Sequence, residues 1–193
     1  VMLDGYITTP ADFDPNKKYP IIFYVYGEPA GQTVKDSWRG GSYLWDQLLT
    51  QKGFIVASID NRGTKAPKGR AWRKSIYAKA GVVPSRDQSD AVKEMVKKFP
   101  FIDESRVGIW GHSGGGTSTL NALFRYPEQY KVGIANAPVP DLRLYDTIYQ
   151  ERYSGLLEDN KEAYEQSVAI NFAKNLQGKL LLVHGTGDDN VHY

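Results

Sequence analysis

Cysteine is absent from the 193-residue sequence. That absence excludes disulfides, thiolate nucleophiles and cysteine-ligated metals together. Excess charge is lacking too: 24 Lys and Arg against 22 Asp and Glu leave a formal +2. So small a balance implies neither a nucleic acid nor a membrane surface as partner. The densest basic cluster, Lys65, Lys68, Arg70, Arg73 and Lys74, reads as a solvated loop or helix face. No apolar run approaches the ~20 residues of a membrane-spanning helix, and no signal peptide is visible. Val1-Met2-Leu3 reads as mid-domain sequence. Repeats and low-complexity tracts are missing as well. Histidine is scarce: only His112, His184 and His192 are present.

What remains is ordinary soluble-domain material. Hydrophobic residues make up 41% and charged residues 24%, and the length suits one domain with a substantial core. Apolar, β-branched runs alternate with helical patterns. Strands are expected at 1–9 (bending at Gly5), 21–27, 54–60, 106–111, within 130–139 and at 179–185. IIFYVYG (21–27) reads as buried on both faces. Helices are expected at 42–53, with Leu44, Leu48 and Leu49 on one helical stripe, and at 85–100, capped by Ser85, with Asp87 and Asp90 favouring its dipole. Further helical stretches are 114–127, 141–153 and 161–176, with a short helix near 71–78. The alternation predicts an α/β fold with a mostly parallel sheet and helices on both faces.

One motif carries chemistry. Gly111-His112-Ser113-Gly114-Gly115 matches G-x-S-x-G, between an apolar strand and a Gly-rich helix. That context is the strand–turn–helix of a nucleophile elbow. The tight turn strains the serine backbone, and glycines on either side avoid collisions. The Gly114 N–H, at a helix start, is placed to stabilise an oxyanion. In the hydrolase chain order of serine, acid, histidine, the acid follows a later strand. Asp188 and Asp189, after KLLLVHG, both stand there.

Three segments carry a resemblance: YPIIFYVYGEP (19–29), RVGIWGHSGGG (106–116), and YDTIYQERYSGL (145–156) together with LLLVHGTGDDNVHY (180–193). Over essentially its whole length the chain resembles the catalytic domain of the prolyl oligopeptidase family, in particular its dipeptidyl peptidase IV branch. The resemblance implies an α/β-hydrolase fold and a serine peptidase acting on peptides. Ser113 would be the nucleophile and Asp188 the acid. Tyr26 would donate its hydroxyl to the oxyanion beside the Gly114 N–H. Tyr145, Tyr149, Val139 and Val191 would line a proline pocket, and Asn190 would bond a substrate carbonyl. No cofactor and no metal are implied. The resemblance also points to a preceding β-propeller, a homodimer in the complete protein and a periplasmic or secreted setting. The chain departs from the branch where aromatics are usual: His112 and Gly114 flank the serine, and Leu142 stands at a third such position. The loss at Gly114 removes a pocket wall, which weakens strict proline selection.

None of the three histidines fits as base. His112 adjoins Ser113 and points elsewhere at a tight elbow. His184 ends a strand. His192 follows the acid by four residues, where a separate loop is required. A metal site from His184, Asp188 and His192 would need a helix that Gly185, Gly187 and Asn190 oppose. The expectation is therefore a domain cut short before its last strand and catalytic-histidine loop. Two other readings stay open: an esterase or broad acyl-aminoacyl peptidase, and a non-catalytic pseudo-hydrolase that binds without reacting.

Overall fold

The computed structural model describes residues 1–29 and 31–193. Six strands form one sheet: β1 (Asp4–Thr8), β2 (Tyr19–Tyr24), β3 (Ile55–Asp60), β4 (Ile102–His112), β5 (Val132–Asn136) and β6 (Lys179–Val183). Their spatial order is β1-β3-β2-β4-β5-β6. Only β1 runs antiparallel, against β3; every other pair is parallel. The helices are α1 (Gly41–Gln51), α2 (Gly69–Lys74), α3 (Val83–Lys98), α4 (Gly114–Arg125), α5 (Thr147–Ser154) and α6 (Lys161–Ser167). Tight 3-10 turns lie at Leu142–Leu144 and Ala169–Asn175.

Handedness distributes the helices. The step from β2 to β3 crosses the sheet one way, and the steps from β3 to β4 and β4 to β5 go the other. Right-handed crossovers then put α1 on one face and α3 and α4 on the opposite face. The main core fills that second face. Ile21, Phe23 and Val25 of β2 and its exit meet Ile55, Ala57, Ile109, Leu120 and Leu123 there, all essentially buried. The face shared with α1 is thinly covered. Ile22, Tyr24, Trp110 and Ile134 are only half-buried on it. The expectation that 21–27 is buried on both faces is thus corrected: the strand alternates, because one helix shields only part of that side.

Two helix readings are also corrected. In α1 the leucines turn outward, Leu44 at 64% and Leu48 at 43% exposure, while Asp46 is 3% exposed. Asp46 turns inward and pairs with Arg39 at 2.7 Å. Arg39 in turn donates to the Tyr6 hydroxyl at 2.5 Å and stacks on its ring. This anchor to residues outside the helix outweighs the apolar stripe. Ser85 does not cap α3. The helix starts at Val83, with Pro84 in its first turn. The Ser85 hydroxyl donates back to the Gly81 carbonyl at 2.5 Å. Asp87, buried, is taken by Arg62, which donates to it through its backbone N–H (2.9 Å) and its guanidinium (2.7 Å).

Candidate active site

The carboxyl ends of β4, β5 and β6 converge at one edge of the sheet, and the loops that follow them build the site. Ser113 follows β4 directly and is the first residue before α4. Its backbone sits at φ +56° and ψ −121°, a conformation that costs an L residue of order 1–3 kcal/mol. Close packing enforces it. A methyl group on Gly111 or Gly115 would collide with the Val25 carbonyl, and one on Gly116 would reach the Asn136 carbonyl at 2.6 Å. Helix α4 therefore lies against the strand ends at a distance only glycine permits. The Ser113 N–H donates to Asn136 O at 2.9 Å, tying the elbow to β5.

The Tyr26 loop is fixed from behind. Gly27 takes φ +80°, the Ser118 hydroxyl donates to Tyr26 O at 3.0 Å, and Asn61 donates to Gly27 O at 2.9 Å. Ser118 belongs to α4, so the same helix that presents Ser113 and Gly114 also holds Tyr26. Burial, then the nearby Glu28, raises the Tyr26 phenol above its ordinary range. The group stays protonated and is a donor at neutral pH.

Asp188 lies in the loop after β6. Its Oδ1 accepts the backbone N–H groups of Val191 (2.9 Å) and Asn190 (3.1 Å). These bonds, with a smaller pull from His184 and His112, hold the carboxyl below its usual range. Its other oxygen stands 3.7 Å from His184 Nε2, which itself meets the Val191 carbonyl at 2.7 Å. The His112 side chain is exposed at the end of β4. Asp189, the alternative acid, is exposed and makes no such backbone contacts.

The expected pocket residues fall into two groups that touch. Asp146 caps α5 by accepting the Tyr149 N–H at 2.8 Å, which aims Tyr145 and Tyr149 at one another. Their rings meet edge-on at 5.7 Å. The Tyr145 hydroxyl donates to Asn190 Oδ1 at 3.1 Å, joining this segment to the acid loop. Val191 is buried beside it. Val139 sits farther back, its N–H and carbonyl both bonded to the Thr117 hydroxyl. Glu28 is a site residue that the motifs alone do not single out. Its carboxyl accepts the Tyr149 hydroxyl at 2.8 Å, and burial pushes it up to about 7. The signal was present: a glutamate follows the Gly of VYG in a loop expected to meet an oxyanion.

A serine on a strained turn between a parallel strand and a helix, with a carboxylate after a later strand, defines an α/β-hydrolase. The comparisons narrow this class. The chain belongs to the prolyl oligopeptidase family of peptidases, whose model matches residues 42–193. The dipeptidyl peptidase 4 of Trichophyton equinum is 39% identical over 189 residues, covering 95% of this chain and 24% of that protein. The crystal structure of Porphyromonas gingivalis dipeptidyl peptidase 4 matches with a TM-score of 0.91 and 43% identity, over 98% of this chain and 26% of that one. The chain thus spans about a quarter of the length of these relatives.

Proposed function

We propose that this chain forms the nucleophile- and acid-bearing part of a serine peptidase of the dipeptidyl peptidase IV type, releasing dipeptides from peptide N-termini. The observation that carries the reading is the positive-φ Ser113 held by close packing between β4 and α4, a strained backbone at a sheet edge of the kind that gathers at active sites. In this reading the Ser113 hydroxyl oxygen attacks the scissile carbonyl carbon while its proton passes to a histidine. The carbonyl oxygen becomes an oxyanion, stabilised by the Tyr26 hydroxyl and the Gly114 N–H. The C–N bond then breaks, the amine leaves with the histidine's proton, and water hydrolyses the acyl-enzyme. Asp188 orients the base and stabilises its cation. Tyr145 and Tyr149 offer ring faces to the residue whose carbonyl is attacked, and Asn190 bonds a neighbouring carbonyl.

The base is assigned to sequence beyond Tyr193. His184 is engaged by the Val191 carbonyl, and no described histidine hydrogen-bonds Ser113. The 193-residue chain alone is therefore expected to show no turnover of dipeptide amides. In the complete protein Ser113→Ala should lower kcat at least 1,000-fold with the fold retained; undiminished turnover would sink the assignment. Gly114 favours a second reading, a broader acyl hydrolase on the same machinery. A kcat/KM for simple esters far above that for Ala-Pro amides would support it.

A further inference from the structure

The space beside Gly114 is occupied. A methyl group placed on Gly114 would collide with Glu28 Cγ and would stand 3.2 Å from its Cβ and carboxyl carbon. The Glu28 side chain thus takes the volume that a side chain following the nucleophile would fill. It lines, together with Leu142, Thr117 and Ser118, an interior cavity of only about 10 Å³, room for one water at most.

That acid is held at one oxygen. Tyr149 donates to Oε2 at 2.8 Å, and the Gly31 N–H closes the turn on the Glu28 carbonyl at 3.0 Å. Oε1 receives no hydrogen bond, and no lysine, arginine or histidine pairs with the carboxyl, among the described residues. The neighbours that bear on it are phenols, Tyr149 and Tyr26. A half-satisfied acceptor in an aromatic corner discriminates steeply between ligands that complete it and ligands that do not. Burial of the carboxyl also raises its affinity for a proton.

Resting on the serine peptidase reading above, we propose that Glu28 is the specificity-determining residue of the pocket. It replaces the missing aromatic wall and offers Oε1 to a hydrogen-bond donor, an ammonium or hydroxyl group, on the side chain whose carbonyl Ser113 attacks. The pocket then favours lysine-like or serine-like residues over the flat apolar ring of proline.

The test measures kcat/KM of the complete protein on dipeptide amides that differ only at the second residue: Ala-Lys, Ala-Ser, Ala-Ala and Ala-Pro. Wild type should favour Ala-Lys and Ala-Ser over Ala-Pro. Glu28→Ala should lower the Ala-Lys to Ala-Pro ratio at least tenfold. Glu28→Gln, which keeps the size and an acceptor oxygen, should lose the Ala-Lys preference and keep that for Ala-Ser. Ratios within one enzyme do not depend on the fraction correctly folded. A wild type that prefers Ala-Pro, or ratios unmoved by both variants, overturns the inference. Ser113→Ala is run beside them: turnover surviving there overturns the peptidase reading itself, whatever Glu28 does.

Discussion

At the scale of single residues, the site rests on one strained backbone and one displaced proton equilibrium. The φ of +56° at Ser113 suits glycine and opposes alanine. Ser113→Gly should therefore unfold about 1 kcal/mol later than Ser113→Ala, although both lack the nucleophile. Chemical denaturation of the two variants side by side checks this; equal midpoints would mean that packing, not strain, sets the turn. Glu28 makes a pH prediction. Its carboxyl titrates near 7 in the fold against 4.5 ordinarily, so the folded state holds the proton more tightly. The associated stability is full below about pH 4.5 and is lost as pH rises through about 7. The loss is about 3 kcal/mol at most, less for a side chain that keeps some solvent contact. Glu28→Gln should flatten the fall in thermal midpoint between pH 5 and pH 8. An equally steep fall in the variant would place the titration elsewhere.

At the scale of elements, what the sequence disclosed follows from how local each cause is. The elbow was legible because its pattern is local: the strand before, the glycines of 111–116 and the helix after all sit side by side in the chain, although the carbonyls those glycines make room for belong to Val25 and Asn136. Tyr145 and Tyr149 were legible only through resemblance, since nothing local separates them from the chain's 13 tyrosines. Helix α1 was misread because its orientation depends on Arg39 and Tyr6, which no periodicity within 41–51 contains. Ser85 was misread because Pro84 lets the helix begin earlier, leaving its hydroxyl to bond backward. Glu28 escaped notice because its partners, Gly114 and Tyr149, lie 86 and 121 positions away. The elbow glycines make a firm prediction at this scale. Gly115→Ala would drive a methyl group into the Val25 carbonyl. It should cost several kcal/mol, because backbone on both sides must separate. The Arg62–Asp87 contact is a second test. Asp87→Ala would leave the half-buried Arg62 guanidinium and N–H without their shared partner, at about 2 kcal/mol. A loss under half of that in urea unfolding would reduce the pair to a surface contact.

At the scale of the whole molecule, the two faces of the sheet are unequal. One carries α3, α4 and a dense core, and the other carries α1 over β1 and β3, leaving Trp110, Val132 and Ile134 partly open. At the outer strand, Leu181 and Leu182 are more than half exposed, and beyond β6 no strand pairs with it among the described residues. Apolar sheet faces and unpaired edges of this kind draw partners. The 193-residue chain by itself should sediment as a concentration-dependent oligomer. A sharp monomer across a hundredfold dilution would argue that these surfaces are inert.

The same asymmetry has an optical consequence. Of the four tryptophans, Trp72 is buried beside Thr64, whose carbonyl accepts its indole N–H at 3.1 Å. The other three are Trp38, highly exposed, Trp45 on α1, and Trp110 on the open face, the last two 6.2 Å apart. Most of the chain's intrinsic emission thus originates on the thinly covered side. Anything that comes to rest there should shift that emission to shorter wavelength, while changes in the core on the opposite face pass almost unseen. The protein carries its own fluorophores for watching one side of a sheet being closed.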